Sequence, residues 1–158
     1  MLKNTELIKQ KEYLGLINSY FNIVQKRIEI YGLMLFGSAA RGEAKPYNSY
    51  ESDIDLLVII KDLPVDLQDR LLNKIDIEES TKSRAQAIWM TPEELGEHIE
   101  AKAGYILDAF EEGIILYDPK FFLEGKKQEL IQELNRKGVI KLKWGYSWNI
   151  KAGEVVEL

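Results

Sequence analysis

The chain has 158 residues, 21 basic and 26 acidic side chains for a net charge of −5, and no cysteine. That length suits one domain with a real core. The missing cysteines exclude a disulfide framework or a thiolate zinc site, and the negative balance argues against broad, nonspecific nucleic-acid binding. No apolar run approaches the roughly 18 residues of a membrane span. Residues Met1 to Glu6 lack the basic-then-apolar pattern of a secretory leader. No membrane association and a cytoplasmic location are therefore the default expectations.

In chain order, the pattern reads as helices alternating with strands. Leu14, Ile17, Phe21, Val24, Ile28 and Tyr31 recur at three- and four-residue steps. They predict a long amphipathic helix from Thr5 to about Ile30, with Leu7 extending its apolar face and Gly32 as its stop. That face packs on a sheet or, since the spacing is also heptad-like, docks a partner helix. Short apolar strands follow over 33–36 and 53–60. Asp66 to about Ser80 is predicted helical, with Leu67, Leu71, Leu72 and Ile75 inward. Arg84 to Met90 is the third strand. Thr91, Pro92 and Glu94 carry the signature of a capped helix start. A further helix runs from about Ala101 to Glu112 and stops at Gly113. A short strand spans 114–117, and Asp118-Pro119 opens a last helix to about Lys137, stopped by Gly138. Helices interleaved with strands indicate an α/β or α+β domain, a mixed sheet flanked by helices.

From Gly138 the pattern changes. Ile140, Leu142, Trp144, Tyr146, Trp148 and Ile150 alternate with polar residues and glycine, which is period two. The segment is one long strand or a hairpin bent near Gly145. Its apolar face packs on the domain or forms a subunit interface and a homo-oligomer. The competing reading is an aromatic platform for stacking bases. The division expected is residues 1–137 as the main domain with its long first helix, and 138–158 as a β extension packed upon it.

The stretch from Leu33 to Ile60 carries the chemistry. Leu33 to Phe36 is an apolar strand that ends in Gly37-Ser38. Glycine allows a tight turn and close backbone approach, and Ser38 to Arg41 opens a helix whose free N–H groups suit an anion. Arg41 adds a planar, permanently charged phosphate ligand. Asp53 and Asp55 lie two apart, so on a strand they share a face while Ile54 points to the core. Two carboxylates on one face suit Mg²⁺, with phosphates completing the shell. His98, the only histidine, lies on a predicted surface helix with no ligand partner in sequence.

Gly37-Ser38 followed by Asp53-Ile54-Asp55 resembles the DNA polymerase β-like nucleotidyltransferase superfamily. Phe36 to Ala44, with Thr91 to Leu95 and Asp108 to Asp118, looks closest to its minimal prokaryotic branch. The resemblance implies a nucleotidyltransferase fold. It implies an enzyme that uses Mg²⁺ or Mn²⁺ to move a nucleoside monophosphate from an NTP to an acceptor hydroxyl, with pyrophosphate released. Gly37, Ser38 and Arg41 would bind the nucleotide, and Asp53 and Asp55 would be catalytic and hold the metals. The acceptor would be a small molecule, RNA, or a protein hydroxyl. Members of that branch often act as antitoxins paired with HEPN-domain toxins, which implies a small helical protein partner as the alternative role. A catalytically degenerate fold is the third reading.

Two features depart from the family pattern. The segment from Glu43 to Ser52 is longer than the resemblance leads one to expect, and is either a lid or a solvent-facing bulge. The family's third carboxylate, expected on the strand Arg84 to Met90, is missing. Gln86 aligns with its place and offers an uncharged amide. Glu78 and Glu79 lie upstream as other acids within reach.

Overall fold

The computed structural model describes residues 1–46, 54–142 and 145–148. Four strands, β1 (Ile30–Phe36), β2 (Ile54–Ile60), β3 (Ala85–Met90) and β4 (Ile114–Tyr117), form a mixed sheet in the order β3-β2-β1-β4. β1 runs antiparallel to β2 and β4, and β2 runs parallel to β3. The helices are α1 (Glu12–Val24), α2 (Gly37–Arg41), α3 (Leu67–Glu79), α4 (Pro92–Glu100), α5 (Gly104–Glu112) and α6 (Phe122–Arg136).

Strand alternation divides the core into two layers. Leu33, Leu35, Leu56, Val58 and Ile60 pack with Tyr13, Ile17, Phe21 and Val24 of α1 and Ile77 of α3. Met34, Leu57, Ile59 and Ile115 point the other way, to Leu95 and Ile99 of α4, Ile106 and Phe110 of α5, and Leu123 and Leu130 of α6. The α/β architecture expected from the sequence is the one observed.

Several elements differ from expectation. The first helix is shorter at both ends. Thr5–Leu7 is a single 3₁₀ turn after Asn4, whose φ is 56°. Ile8, fully buried in an extended conformation, anchors that segment. The helix ends at Val24 because Ile30 to Gly32 are recruited into β1, where Ile30 pairs with Ile60. Gly32 stops no helix. It sits at the register shift in β1, where the Leu123 side chain presses on its Cα.

The helix α3 is turned over. Leu67, Leu71, Leu72 and Ile75, expected inward, are 75%, 56%, 59% and 53% exposed, and Ile77 is the helix's one buried residue. The polar residues Arg70, Lys74 and Glu78 point inward instead. Glu78 accepts a hydrogen bond from the buried Tyr20 hydroxyl at 2.6 Å and pairs with Lys74 at 2.7 Å. Trp89 Nε1 donates to the same Tyr20 oxygen at 2.9 Å. Burial, then the bond to Glu78, pushes the Tyr20 phenol well above its usual range. A buried Tyr–Trp pair needs polar partners, and α3 supplies them at the expense of its apolar face.

The start of α4 is as expected, whereas α5 begins at Gly104 and α6 at Phe122, a few residues after the expected Ala101 and Asp118. Asp66 caps α3, and Thr91 and Glu94 form a reciprocal capping box on α4. The buried Asp118 carboxylate accepts from the N–H groups of Leu123 and Glu124 at 3.1 and 2.9 Å. The tail is the hairpin alternative. β5 (Val139–Leu142) pairs antiparallel with β6 (Gly145–Trp148). Trp144 and residues 149–158 lie outside the described residues, as do the side chains of Tyr146 and Trp148, and with them the choice between packed face and aromatic platform.

Three carboxylates are held below their usual range. For Glu112 the leading cause is the hydrogen bond from Lys141, and for Glu133 that from Lys102. For Glu94 burial pushes upward but is outweighed by the Thr91 N–H and Arg70. Each has a folded pKa below its unfolded value of about 4.3. Their stabilisation is therefore full above about pH 5 and lost as the pH falls through the depressed folded values. The urea midpoint should be level from about pH 7 to 5 and drop below that, less steeply in high salt because these groups are partly exposed. A midpoint unchanged down to about pH 3 would contradict this.

Candidate functional site

The site is assembled where β1 ends and β2 and β3 begin. Phe36 pairs with Asp55 across the β1–β2 ladder, and Asp55 pairs with Gln86 across the β2–β3 ladder. The three residues form one row across the sheet. By strand alternation they share the face of Met34 and Leu57, covered further along by α4, α5 and α6. Gln86 is exposed and Asp55 half-buried. The acidic alternatives upstream are elsewhere: Glu78 is bound to Tyr20 and Lys74 in the other layer, and Glu79 is exposed at the end of α3.

Gly37 makes the turn out of β1 with φ of 69°. A Cβ at this position would collide with Asp55 Oδ2, so the carboxylate rests directly over the glycine Cα. Ala39 and Ala40 are buried in the α1 layer and anchor α2. Gly42, with φ of 74°, ends it, and Lys9 Nζ donates to the Arg41 carbonyl at 3.2 Å. Ser38 is half-buried one residue after the turn.

Arg41 closes the short helix and is held by two acids. Its Nε lies 2.9 Å from Glu43 and its Nη1 3.0 Å from Glu112. The bond to Glu43, then that to Glu112, raises its pKa. The other oxygen of Glu112 accepts from Lys141 of β5 at 2.5 Å, and Lys141 also lies within 3.5 Å of Glu111 and 3.8 Å of Asp108. Burial alone would lower the Lys141 ammonium, but Glu112 and the neighbouring acids outweigh it and raise it. Glu112 and Lys141 were not candidates from sequence. The available signal was Glu111-Glu112 at the end of a helix, where the macrodipole disfavours anions and calls for cations nearby.

Asp53 lies outside the described residues, and with it the expected pairing with Asp55. Among the described residues, no three acids, histidines or cysteines cluster as a metal site. The inserted segment is described as far as Pro46. Its start is stapled to α1 and the turn before it: Gln10 bonds both backbone groups of Ala44, at 2.8 and 3.0 Å, and the Tyr13 hydroxyl of α1 donates to the Lys45 carbonyl at 2.6 Å. Residues 47–53, which decide between lid and bulge, are outside the description. His98 stacks edge-on with Tyr105 at 5.8 Å. Among the described residues, no helix is long and apolar enough to cross a membrane.

No curated protein matches the chain. Among solved structures, it is similar to a toxin–antitoxin crystallised with AMP-PNP, at 20% identity over 75% of this chain and 86% of that one, TM-score 0.49. It is also similar to a tri-AMPylated Shewanella oneidensis HEPN toxin in complex with an MNT antitoxin, at 16% identity over 78% and 87%, TM-score 0.47. The family profile described as polymerase beta, nucleotidyltransferase matches residues 18–121. That span runs from α1 through β4 and contains the whole row of Phe36, Asp55 and Gln86, and the chain therefore belongs to the polymerase beta nucleotidyltransferase family.

Proposed function

We propose that this protein transfers a nucleoside monophosphate from an NTP to an acceptor hydroxyl, releasing pyrophosphate, at the start of β2. The observation that carries the reading is the Asp55 carboxylate lying over the Cα of Gly37, with Gln86 beside it in register. An oxygen ligand is thereby set directly against a glycine turn, whose backbone, bare of a side chain, would meet the phosphates. The donors fit a hard divalent cation, whose preferred ligands are oxygens. Asp55 and Asp53 would hold Mg²⁺ or Mn²⁺, and the Gln86 amide oxygen would serve as a third ligand from the neighbouring strand. Such a cation, when bound, polarises the phosphoryl oxygens and offsets developing charge.

The chain's own groups do the positioning. The Gly37 turn lets the β- and γ-phosphates approach the backbone, and Ser38 donates its hydroxyl to them. Arg41 reaches phosphate by exchanging Glu43, whose side chain is 66% exposed, while Glu112 keeps its orientation. Gln86 is neutral and a poor proton acceptor, so the acceptor hydroxyl loses its proton to solvent or to Asp55. Catalysis then rests chiefly on electrostatic positioning. Residues 1–137 form the catalytic domain and 138–158 its extension. The ion pairs from Lys141 to α5 support that packing for the described part.

The test needs no acceptor. Each NTP is titrated into the protein by calorimetry with Mg²⁺ and with chelator. Binding should require the cation, and Asp55→Asn should weaken it at least about tenfold, the loss expected for one charge-assisted contact at a phosphate site. The melting temperature should move by only a few degrees. No binding under any condition would favour the degenerate fold or the interaction module instead. Binding unaffected by Asp55→Asn would remove the metal assignment.

A further inference from the structure

The inverted helix α3 is the second feature that asks for a function. Leu67, Leu71, Leu72 and Ile75 are all more than half exposed, and Val65 just before the helix is 95% exposed. Four large apolar side chains on the outer face of one helix form a continuous patch, the usual mark of a binding surface. The exposure is built in. Rolling α3 to bury these residues would break the Tyr20–Glu78 hydrogen bond and the 2.6 Å Arg70–Glu94 pair. The patch lies on the layer opposite the Asp55 face, so the nucleotide site does not account for it.

The rim decides what covers it. Asp69, Asp76 and Glu79 are exposed and flank Leu72 along one side of the helix, and Asp66 stands at its start. Of these acids, Asp76 pairs with Arg27 at 2.5 Å. A second copy meeting this face across a two-fold axis would set these acids against their own counterparts. An anionic bilayer would be repelled as well. A helix with its own apolar stripe and basic flanks satisfies both parts of the surface.

We propose that the outer face of α3 is a docking site for an amphipathic helix of another protein, its apolar stripe covering Leu71, Leu72 and Ile75 and its lysines or arginines facing Asp69, Asp76 and Glu79. This site is separate from the nucleotide site and stands whether or not that site is active. The test uses the full chain without nucleotide and a fluorescent synthetic helical peptide of leucines and lysines in amphipathic register, with a glutamate-for-lysine version as control. The lysine peptide should bind and the glutamate peptide should not. Leu71→Gln/Ile75→Gln should weaken binding at least about tenfold, and Asp69→Asn/Asp76→Asn severalfold with a shallower salt dependence. All four side chains are exposed, so both variants should fold, as circular dichroism and melting would show. Failure of the lysine peptide to bind, or binding undiminished in both variants, would overturn the proposal. So would a wild-type dimer in sedimentation that Leu71→Gln/Ile75→Gln disperses, which would identify a second copy as the occupant. Uptake by phosphatidylserine vesicles that the same variant abolishes would identify a membrane and overturn it too.

Discussion

Gly37→Ala should abolish cation-dependent nucleotide binding while leaving the protein folded. The residue has φ of 69°, and a methyl group there would strike Asp55 Oδ2. The backbone strain alone costs about 1–2 kcal/mol, which a domain of this size tolerates. The collision is the larger matter for function. Asp55 starts β2 and its backbone is fixed between β1 and β3, so its side chain must rotate away from the turn. Gly42→Ala is the matched control. It has nearly the same positive φ of 74°, but the atoms nearest the added methyl are those of the Lys9 side chain. Calorimetry should find binding lost in Gly37→Ala, by at least about a hundredfold if the turn and carboxylate act together, and largely kept in Gly42→Ala. Equal binding in both variants would show that contact between turn and carboxylate is not used.

The largest loss of stability should come from Gly113→Ala, a change that elsewhere on a surface is mild. Gly113 joins α5 to β4 with ordinary negative φ of −72°, so conformation is not the reason for a glycine. Space is. An added Cβ would collide with the Ala109 carbonyl oxygen, lie 2.8 Å from Met34 Sδ and 3.1 Å from the Leu35 carbonyl. The sulfur can move, but the two carbonyls belong to α5 and to central strand β1. Overpacking against backbone should cost about 3 kcal/mol, the upper end of its usual range. A urea midpoint within error of wild type would mean that α5 and β4 can separate freely, against the close junction described.

The candidate site was legible in the sequence because its signals are local. A glycine after an apolar run, two acids at period two, and a capping box each report on a few adjacent residues. The observed turn at Gly37, the strand from Ile54 and the capped start of α4 follow from them. The register that sets Gln86 beside Asp55 is nonlocal, and only the family resemblance, which expects a carboxylate on the neighbouring strand, pointed to Gln86.

What could not be read was decided by distant partners. Periodicity continued past Val24 through Ile28 and Tyr31, and nothing local said that Ile30 would be claimed by Ile60. The outward face of α3 was the stronger miss. Its leucines have the spacing of a buried stripe, but the requirement of Tyr20 and Trp89 for polar partners governs the helix's rotation. Arg41 was read from its chemistry alone. Its two acidic partners arrive from Glu43 nearby and Glu112 far along the chain.

The row of Phe36, Asp55 and Gln86 has one more consequence. Phe36 and Asp55 sit on the two central strands and Gln86 on the edge strand beside them, none on a loop, and Asp55 is wedged against the Gly37 turn before any ligand arrives. The ordering cost of this constellation is met once, when the chain folds, and is not charged again at each encounter with a nucleotide. For Phe36 and Asp55 the same placement removes any path by which their contact frays while the rest persists, since central strands open only with the whole molecule. Heat or denaturant should therefore not part this pair in a molecule that is otherwise folded.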